Sequence, residues 1–237
     1  MTTIRSITLF LAVALFTGCP PNNENDAATG DAITLDDCET SFGDGVQAFY
    51  STYFSCVTVS VSGTNTLINS DNLPPHESWY YSDEHGNYID WASQGDGYYL
   101  NPNMISTQDL TISIPNEPTS RGLTINGSLV DGEIGTSNYE YDMSTVGIAL
   151  DGCSLFNPLA GPGDDIEDEK YSFDLYSGHP EMTGNYHYHT TTKGPLEVLE
   201  HKGLIETPVV GSAEIELYGI MCDGTLIMGC TELDGST

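Results

Sequence analysis

The chain has 237 residues and a formal net charge of -30 at pH 7, from 35 acidic and 5 basic side chains. Such a field repels nucleic acid and anionic membrane surfaces, so both are excluded as partners that the folded protein binds directly. We interpret the acidity as an adaptation to salty surroundings, where charges are screened over a few ångströms, rather than as a site for one ligand.

The first 18 residues have the pattern of a bacterial export signal. Arg5 supplies a positive start, the apolar run Ile7–Phe16 is too short to span a bilayer, and a small residue precedes Cys19. Cleavage before Cys19 would leave its thiol to carry a lipid. This predicts a protein anchored to the bacterial cell envelope, outside the cytoplasm, with a plain secretory peptide as the alternative. No other apolar stretch is long enough to span a bilayer, so the lipid would be the only membrane contact.

Composition divides the rest of the chain into a tether and a domain. Residues 19–33 consist largely of Pro, Asn, Asp, Gly and Thr, which cannot bury enough apolar surface to fold, and they predict a disordered tether. Residues 34–237 are predicted to form a single β-rich domain, a length that can bury one sizeable core. No persuasive linker between residues 138 and 146 divides it.

Strand patterns dominate this domain. Apolar residues alternate with polar ones in four segments, Cys56–Val61, Leu110–Ile114, Leu123–Ile125 and Ala213–Tyr218. Helical periodicity is scarce. The pattern therefore predicts an all-β fold, an antiparallel sandwich or barrel with at most one or two short helices.

One helix and two hairpins are predicted from local signals. Pro195 suits a first helical position, and Gly203 can take the left-handed conformation that ends a helix. The segments Gly147–Gly152 and Gly219–Gly224 share the pattern Gly-Ile-x-x-Asp-Gly. Because Asp-Gly between strands favours a two-residue turn, both segments predict tight hairpins, one on either side of the strand at 185–190.

Six cysteines in an exported chain predict disulfides, and one is expected to be unpaired or to pair with another chain once the lipid-bearing residue is set aside. Cys38 and Cys56 could close a modest loop. A two-residue turn at 223–224 would place Cys222 and Cys230 about 17 Å apart, whereas a disulfide needs Cα atoms within about 7 Å. Either of these two would therefore pair elsewhere, with Cys153 or Cys56 as candidates.

The most informative segment is residues 185–190, Asn-Tyr-His-Tyr-His-Thr. In a strand, side chains alternate, so His187 and His189 would project from one face about 7 Å apart while the two tyrosines cover a core on the other. His179 lies upstream in Gly-His-Pro, an expected turn leading into this strand. Three imidazoles at one hairpin predict a site for a transition metal, zinc or copper.

The coordination of that ion leaves the function open. Glu181 and Asp174 are the candidate oxygen donors or hydrogen-bond partners of the ligands. Three protein ligands leave one position for water or substrate, whereas a closed structural site needs a fourth. One alternative to a metal-binding β-domain is therefore a metal-dependent enzyme of unknown substrate. No nucleophile elbow, Gly-rich phosphate loop, HExxH helix or Cys-x-x-Cys motif is present, so no catalytic residue is assigned.

The other alternative is an adhesion or carbohydrate-binding module with structural histidines. Aromatic residues at Trp79–Tyr81, Trp91 and Tyr98–Tyr99 could stack on a sugar or a protein surface. The acidic run Asp164–Glu169 does not have EF-hand spacing and is predicted to be a solvated loop. The remaining histidines are also predicted to be solvated, His76, His85 and His201.

Several motifs together resemble one family. The sequence Tyr-His-Tyr-His at 186–189, Gly-His-Pro at 178–180, Leu-Asp-Gly at 150–152 and the stretch Gly219–Cys230 resemble the bacterial YHYH-domain proteins, which are named after the tetrapeptide. The resemblance covers about residues 145–235. It implies a domain and no particular activity, so the chemistry has to be argued from the residues themselves.

Overall fold

The computed structural model describes residues 27–119, 144–157, 160–161, 165–231 and 233–236. The predicted export signal, the lipid-bearing Cys19 and the strand expected at Leu123–Ile125 lie outside these residues. Within the described part of the chain, no helix is both long enough and apolar enough to cross a membrane.

A four-stranded sheet forms from the first half of the chain. Its strands are β1 Ser41–Phe42, β2 Thr58–Ser62, β3 Asn65–Ser70 and β4 Leu110–Pro115. They pair in the order β1-β2-β3-β4, parallel between β1 and β2 and antiparallel elsewhere. Val59, Ile112 and Ile114 are buried, whereas Ser60 and Ser113 are exposed. The predicted alternation therefore gives this sheet one apolar face.

A six-stranded sheet carries the second half. Its strands are β5 Thr145–Ala149, β6 Ser154–Phe156, β7 Gly178–Pro180, β8 Tyr186–Tyr188, β9 Leu217–Met221 and β10 Leu226–Met228. The order is β10-β9-β5-β6-β8-β7, and only the pairing of β6 with β8 is parallel among these strands. The β-rich prediction is thus confirmed, although each sheet includes a parallel pair and neither closes into a barrel.

The two Asp-Gly hairpins have the same turn, which is longer than predicted. In β5–β6, Ala149 N–H donates to Cys153 O over 2.8 Å, and Gly152 N–H donates to Ala149 O over 3.0 Å. In β9–β10, Met221 N–H likewise donates to Thr225 O over 2.8 Å, and Gly224 N–H donates to Met221 O over 2.9 Å. Only the glycine has positive φ, at 83° and 91°, which is typical of a three-residue loop. Because β5 pairs with β9, the hairpins lie side by side rather than on either side of β8.

The two sheets share a hydrophobic core. Ile68 and Ile112 of the first sheet and Ile148 and Leu217 of the second belong to one buried cluster. Two helices complete this cluster, α1 Ala48–Tyr53 and α3 Lys193–His201, while a third, α2 Ile166–Glu169, precedes a 3-10 turn at Lys170–Ser172. The arrangement is sandwich-like, and the described residues contain one short helix more than the sequence predicts.

The predicted helix is α3, and its face is the expected one. Leu196 and Leu199 are fully buried, because their spacing of three residues places them on the same side. Pro195 is the third residue of the helix rather than the first. Gly203 follows the last turn at φ 70°, the left-handed conformation that ends the helix.

Residues 27–33 do not form the predicted tether, since they pack on the long segment between β3 and β4. Ala28 N–H donates to Ile105 O over 2.9 Å. The Asn87 side chain accepts from Ile33 N–H over 2.6 Å and donates to its carbonyl over 2.8 Å. Backbone hydrogen bonds to a distant loop therefore order a polar segment, and composition carries no signal of such pairing.

The aromatic side chains of the segment between β3 and β4 are divided between core and surface. Trp79–Tyr81 are at most 4% exposed and form a second core cluster with Tyr186 and Tyr188 of β8. Buried rings cannot stack on a sugar, so this part of the binding-module hypothesis fails. Trp91 and Tyr99 are 39% and 49% exposed and keep that option.

The predicted disulfide between Cys38 and Cys56 forms, but the expected pairing of Cys222 or Cys230 with another cysteine does not. Cys38 and Cys56 are bonded, with 5.0 Å between their Cα atoms. Cys222 and Cys230 are not joined to each other, as predicted, but neither pairs with Cys153 or Cys56. These two and Cys153 are the free cysteines of the described residues. Cys222 N–H bonds to Val146 O and Cys153 O accepts from Ala149 N–H. The backbones of Cys222 and Cys153 thus lie beside opposite ends of β5, about 10 Å apart along the strand.

Candidate metal site

The hairpin β7–β8 brings the three predicted histidines together. His179 lies directly opposite His187 in the antiparallel register, and His189 follows two residues later, so it returns to the same face. His179 is in a strand rather than in the predicted turn. The turn comes after it, where Gly184, at φ 77°, donates its N–H to Glu181 O over 2.8 Å.

The three imidazoles converge on one point. One nitrogen from each ring lies within 4.8 Å of the other two, and the Nε2 atoms of His187 and His189 are 3.0 Å apart. The ring centroids of His179 and His187 are 4.7 Å apart, and those of His179 and His189 are 5.6 Å apart. Rings that point away from one another could not share an ion, whereas these three rings direct nitrogens towards a common point, as the three-ligand prediction requires.

Hydrogen bonds to the backbone fix the tautomers of two of these rings. His187 Nδ1 lies 2.9 Å from Asn185 O, and His189 Nδ1 lies 2.6 Å from Asn157 O. A carbonyl oxygen only accepts, so Nδ1 carries the hydrogen in both rings and a neutral imidazole then has its lone pair on Nε2. Two lone pairs 3.0 Å apart repel each other unless a cation lies between them.

The tautomer of His179 is fixed through a serine. The Ser172 hydroxyl donates to Glu169 O over 2.8 Å. Its oxygen therefore accepts from His179 Nδ1, at 2.7 Å, which leaves the lone pair on Nε2 in this ring too. His179 Nε2 is buried and has no hydrogen-bond partner among the described residues. All three Nε2 atoms thus offer lone pairs to the same space.

Burial keeps the three rings neutral. Removal from water, followed by the neighbouring His189, lowers the pKa of His179 to about 3. The pKa of His187 is held well below its ordinary value by burial and then by the other two imidazoles, and burial also lowers the pKa of His189. Neutral imidazole is the form that binds a metal.

Two phenylalanine rings hold the imidazoles in place. Phe156 stacks on His187, with centroids 3.8 Å apart and planes at 15°. Phe173 meets His179 edge-on at 4.9 Å and lies parallel to His189 at 5.9 Å. Rings packed in this way and bonded at Nδ1 have few orientations left, so the ligand directions are fixed before any ion binds.

Neither of the two oxygen donors expected from the sequence forms an ion pair with the three imidazoles, although Glu181 lines the cavity over them. Asp174 is buried among the donors Ser78 Oγ, at 2.6 Å, and Tyr186 OH, at 3.0 Å, together with two backbone N–H groups. Since Tyr186 is on the opposite face of β8, Asp174 is as well. Glu181 bonds to the backbone and hydroxyl of Thr183, in the turn.

The carboxylate that does face the site is Glu169. Its Oε1 is 3.6 Å from His179 Nε2 and its Oε2 is 3.9 Å from His189 Nε2. The side chain is 22% exposed, so the predicted solvated acidic loop turns its last residue inward. It ends α2, three residues before the serine that orients His179. No sequence signal distinguishes it from its acidic neighbours.

The opposite face of β8 holds the two tyrosines of the motif. Tyr186 OH donates to both oxygens of Asp174 at 3.0 Å, and Tyr188 OH donates to Asp151 Oδ2 at 2.9 Å. All four side chains are at most 2% exposed. The prediction that the tyrosines cover a core with their hydroxyls bonded is therefore correct, and each has its own aspartate.

Two other histidines are buried rather than solvated. His76 stacks on Tyr176 at 3.5 Å and its Nε2 lies 2.9 Å from Tyr188 OH. His85 stacks on Tyr81 at 3.9 Å. Both rings belong to the packing of the segment between β3 and β4, which has no periodic pattern. His201 is exposed at the end of α3, as predicted.

A cavity of about 920 Å³ opens over the three histidines. Its walls include amide, carboxylate and aromatic side chains, among them Asn101, Asn103, Asp165, Asp168, Glu181 and Tyr99. No lysine or arginine is among the described residues that line it. The site therefore has room beside it for a small molecule without a strong negative charge.

Comparison with known proteins supports the family resemblance. No curated protein and no solved structure shows significant similarity to the chain. A family model described as YHYH protein matches residues 111–236, slightly more than half of the chain. The match begins in β4 and includes the three histidines and Glu169. The chain therefore belongs to the YHYH protein family.

Proposed function

We propose that the protein binds one transition-metal ion, zinc or copper, through His179, His187 and His189. The observation that carries this proposal is the convergence of three buried imidazoles, one nitrogen of each lying within 4.8 Å of the other two. Imidazole nitrogen suits both ions, and three such ligands on a rigid hairpin form a common type of site.

The experiment is metal analysis of the full chain, purified without chelator. We expect about one equivalent of zinc or copper per chain. After removal by chelator and dialysis, titration with Zn²⁺ or Cu²⁺ should give one site by calorimetry and raise the melting temperature. Metal at about 1,000 times its Kd stabilises a folded protein by about 4 kcal/mol. Neither bound metal nor any uptake would contradict the proposal and favour structural histidines.

A second candidate is a metal-dependent enzyme, and the cavity over the histidines favours it. A purely structural ion needs no such space beside it. A screen of neutral and cationic substrates of hydrolases, run on metal-loaded and metal-stripped protein, separates the two functions. Turnover that disappears on stripping and returns with metal would assign an activity.

We also propose that the protein is anchored outside the cytoplasm of a bacterium by a lipid on Cys19. The export pattern of residues 1–18 supports this. So does the Cys38–Cys56 disulfide, since disulfides persist in oxidising compartments.

For the anchor, Cys19→Ala should move the protein from the membrane fraction to the soluble fraction, because the lipid has no other attachment point. Its melting temperature and metal content should match those of the wild-type chain. Cys230→Ala is the control, since that thiol is exposed and free, and it should stay with the membranes. A Cys19→Ala protein that remains membrane-bound would rule out the lipid anchor.

A further inference from the structure

We propose that Glu169 is the fourth ligand of the metal site, so that the ion is held by three imidazoles and one carboxylate. The inference rests on the proposed function, since it needs an ion to bind. It goes beyond that function because it assigns the fourth coordination position, which three histidines alone would leave to water or substrate, to a charged carboxylate.

The carboxylate of Glu169 lies beside two of the three imidazoles, with one oxygen near each. Metal bonds of about 2.0–2.1 Å in a tetrahedron place the ligand atoms about 3.4 Å apart. Glu169 Oε1 is 3.6 Å from His179 Nε2, and Oε2 is 3.9 Å from His189 Nε2. The Nε2 atoms of His187 and His189 are 3.0 Å apart, so the three separations lie on either side of the 3.4 Å expected between ligand atoms.

Hydrogen bonding does not explain these contacts. They exceed 3.5 Å, and both Nε2 atoms carry lone pairs, because the hydrogens of His179 and His189 are on Nδ1. A carboxylate oxygen and an imidazole lone pair that face each other repel. A divalent cation between Glu169 and the Nε2 atoms of His179 and His189 would turn that repulsion into attraction.

The backbone holds Glu169 in this position. Asp165 caps α2 by accepting from Glu167 N–H over 2.9 Å, and its carbonyl accepts from Glu169 N–H over 2.8 Å. At the other end, Glu169 O accepts from Ser172, the residue that orients His179. One short helical turn therefore aligns both the carboxylate and an imidazole ligand.

The donor set narrows the choice of ion. Three neutral imidazoles and one carboxylate neutralise half the charge of a divalent ion, and the set has no thiolate or thioether, which Cu(I) prefers. Zn²⁺ accepts both nitrogen and oxygen ligands in a tetrahedron. The structure therefore favours Zn²⁺ over Cu(I). A ligand from the cavity would have to join as a fifth donor or displace the carboxylate.

The test compares Glu169→Gln with the wild-type full chain, and Asp168→Asn is the matched control. Asp168 is the neighbouring acidic residue of α2 and lines the same cavity. Glu169→Gln should weaken Zn²⁺ binding by at least about 100-fold in chelator competition, since it removes the charged donor but keeps the size of the side chain. The visible spectrum of the Co²⁺-loaded protein should change with it. Asp168→Asn should alter neither by more than about twofold.

The outcomes separate the two proposals. If Glu169→Gln binds Zn²⁺ as tightly as the wild type and gives the same Co²⁺ spectrum, the fourth-ligand role is wrong and the three-histidine site stands. If the wild-type chain takes up no ion, both proposals fail. Circular dichroism of the metal-free proteins checks that Glu169→Gln keeps the fold. A folded variant with weakened binding and a changed spectrum supports the carboxylate as a ligand.

Discussion

Replacing His187 with alanine should abolish binding of stoichiometric Zn²⁺ at micromolar concentrations. His187 is the central ligand, because it lies opposite His179 in the hairpin and its Nε2 is 3.0 Å from that of His189. Its loss leaves two imidazoles and the carboxylate of Glu169, one protein ligand short of the closed tetrahedral set that zinc prefers. Saturating metal should raise the free energy of unfolding of the wild-type chain by about 4 kcal/mol, and this increase should be absent in His187→Ala.

Calorimetry and melting curves with and without Zn²⁺ measure both effects. His179→Ala and His189→Ala should behave in the same way, since each ring contributes one Nε2. His201→Ala is the control, because that histidine is exposed on α3, away from the hairpin. Wild-type affinity in His179→Ala would show that the β7 residue is not a ligand, and the three-ligand site would then be wrong.

The sequence predicts this site through the two-residue period of a strand. Alternation alone places His187 and His189 on one face and the tyrosines on the other, because successive side chains of an extended chain point to opposite sides. His179 could be expected nearby from its short separation in the chain. Its pairing opposite His187 depends on the register of β7 and β8, which follows from the length of their turn.

Groups that reach the site from elsewhere could not be predicted in this way. Glu169 is in an acidic run whose exposed members look identical in sequence, and only the rotation of α2 turns one of them inward. His76 and His85 are buried because the long segment between β3 and β4 packs on β8. Such packing is decided by contacts distant in sequence, and it leaves no periodic pattern.

The turn length of the hairpins shows a similar limit. Asp-Gly predicts a reversal at the right place, and Gly152 and Gly224 do take positive φ. Whether the loop has two or three residues depends on strand pairing. In the structure, each aspartate accepts from a backbone N–H two residues later, Asp151 from Cys153 and Asp223 from Thr225. Side-chain bonds of this kind stabilise the longer turn.

Tyr188→Phe should destabilise the fold more than Tyr186→Phe, although each change removes one hydroxyl of the motif. Tyr188 OH donates to Asp151 and lies 2.9 Å from His76 Nε2, so its loss leaves two fully buried polar groups without that partner. At about 1–3 kcal/mol for each such group, we expect a cost of about 3–4 kcal/mol.

Tyr186→Phe removes one of four donors to Asp174, and Ser78 and two backbone N–H groups remain. Its cost should be about 1–2 kcal/mol. Urea unfolding of the two variants at pH 7 measures the difference. Both should bind metal like the wild type, because the hydroxyls are on the face opposite the imidazoles. Equal costs would show that the bridge between Asp151 and His76 adds nothing to a single buried hydrogen bond.

The pH dependence of the Tyr188→Phe defect provides a further check on its cause. Burial raises the pKa of Asp151 to about 6, and the bond from Tyr188 partly opposes that rise. Removing the hydroxyl therefore raises this pKa further, since the ionised carboxylate loses a donor. An aspartate with a raised pKa in the folded state binds protons that the unfolded chain releases, so stability falls as pH increases from about 4 to 6 and above.

The deficit of Tyr188→Phe relative to wild type should accordingly be largest above pH 6 and should shrink towards pH 4, where Asp151 is protonated in both proteins. A deficit that stays constant across this range would assign the cost to lost packing and to His76 instead of to the aspartate.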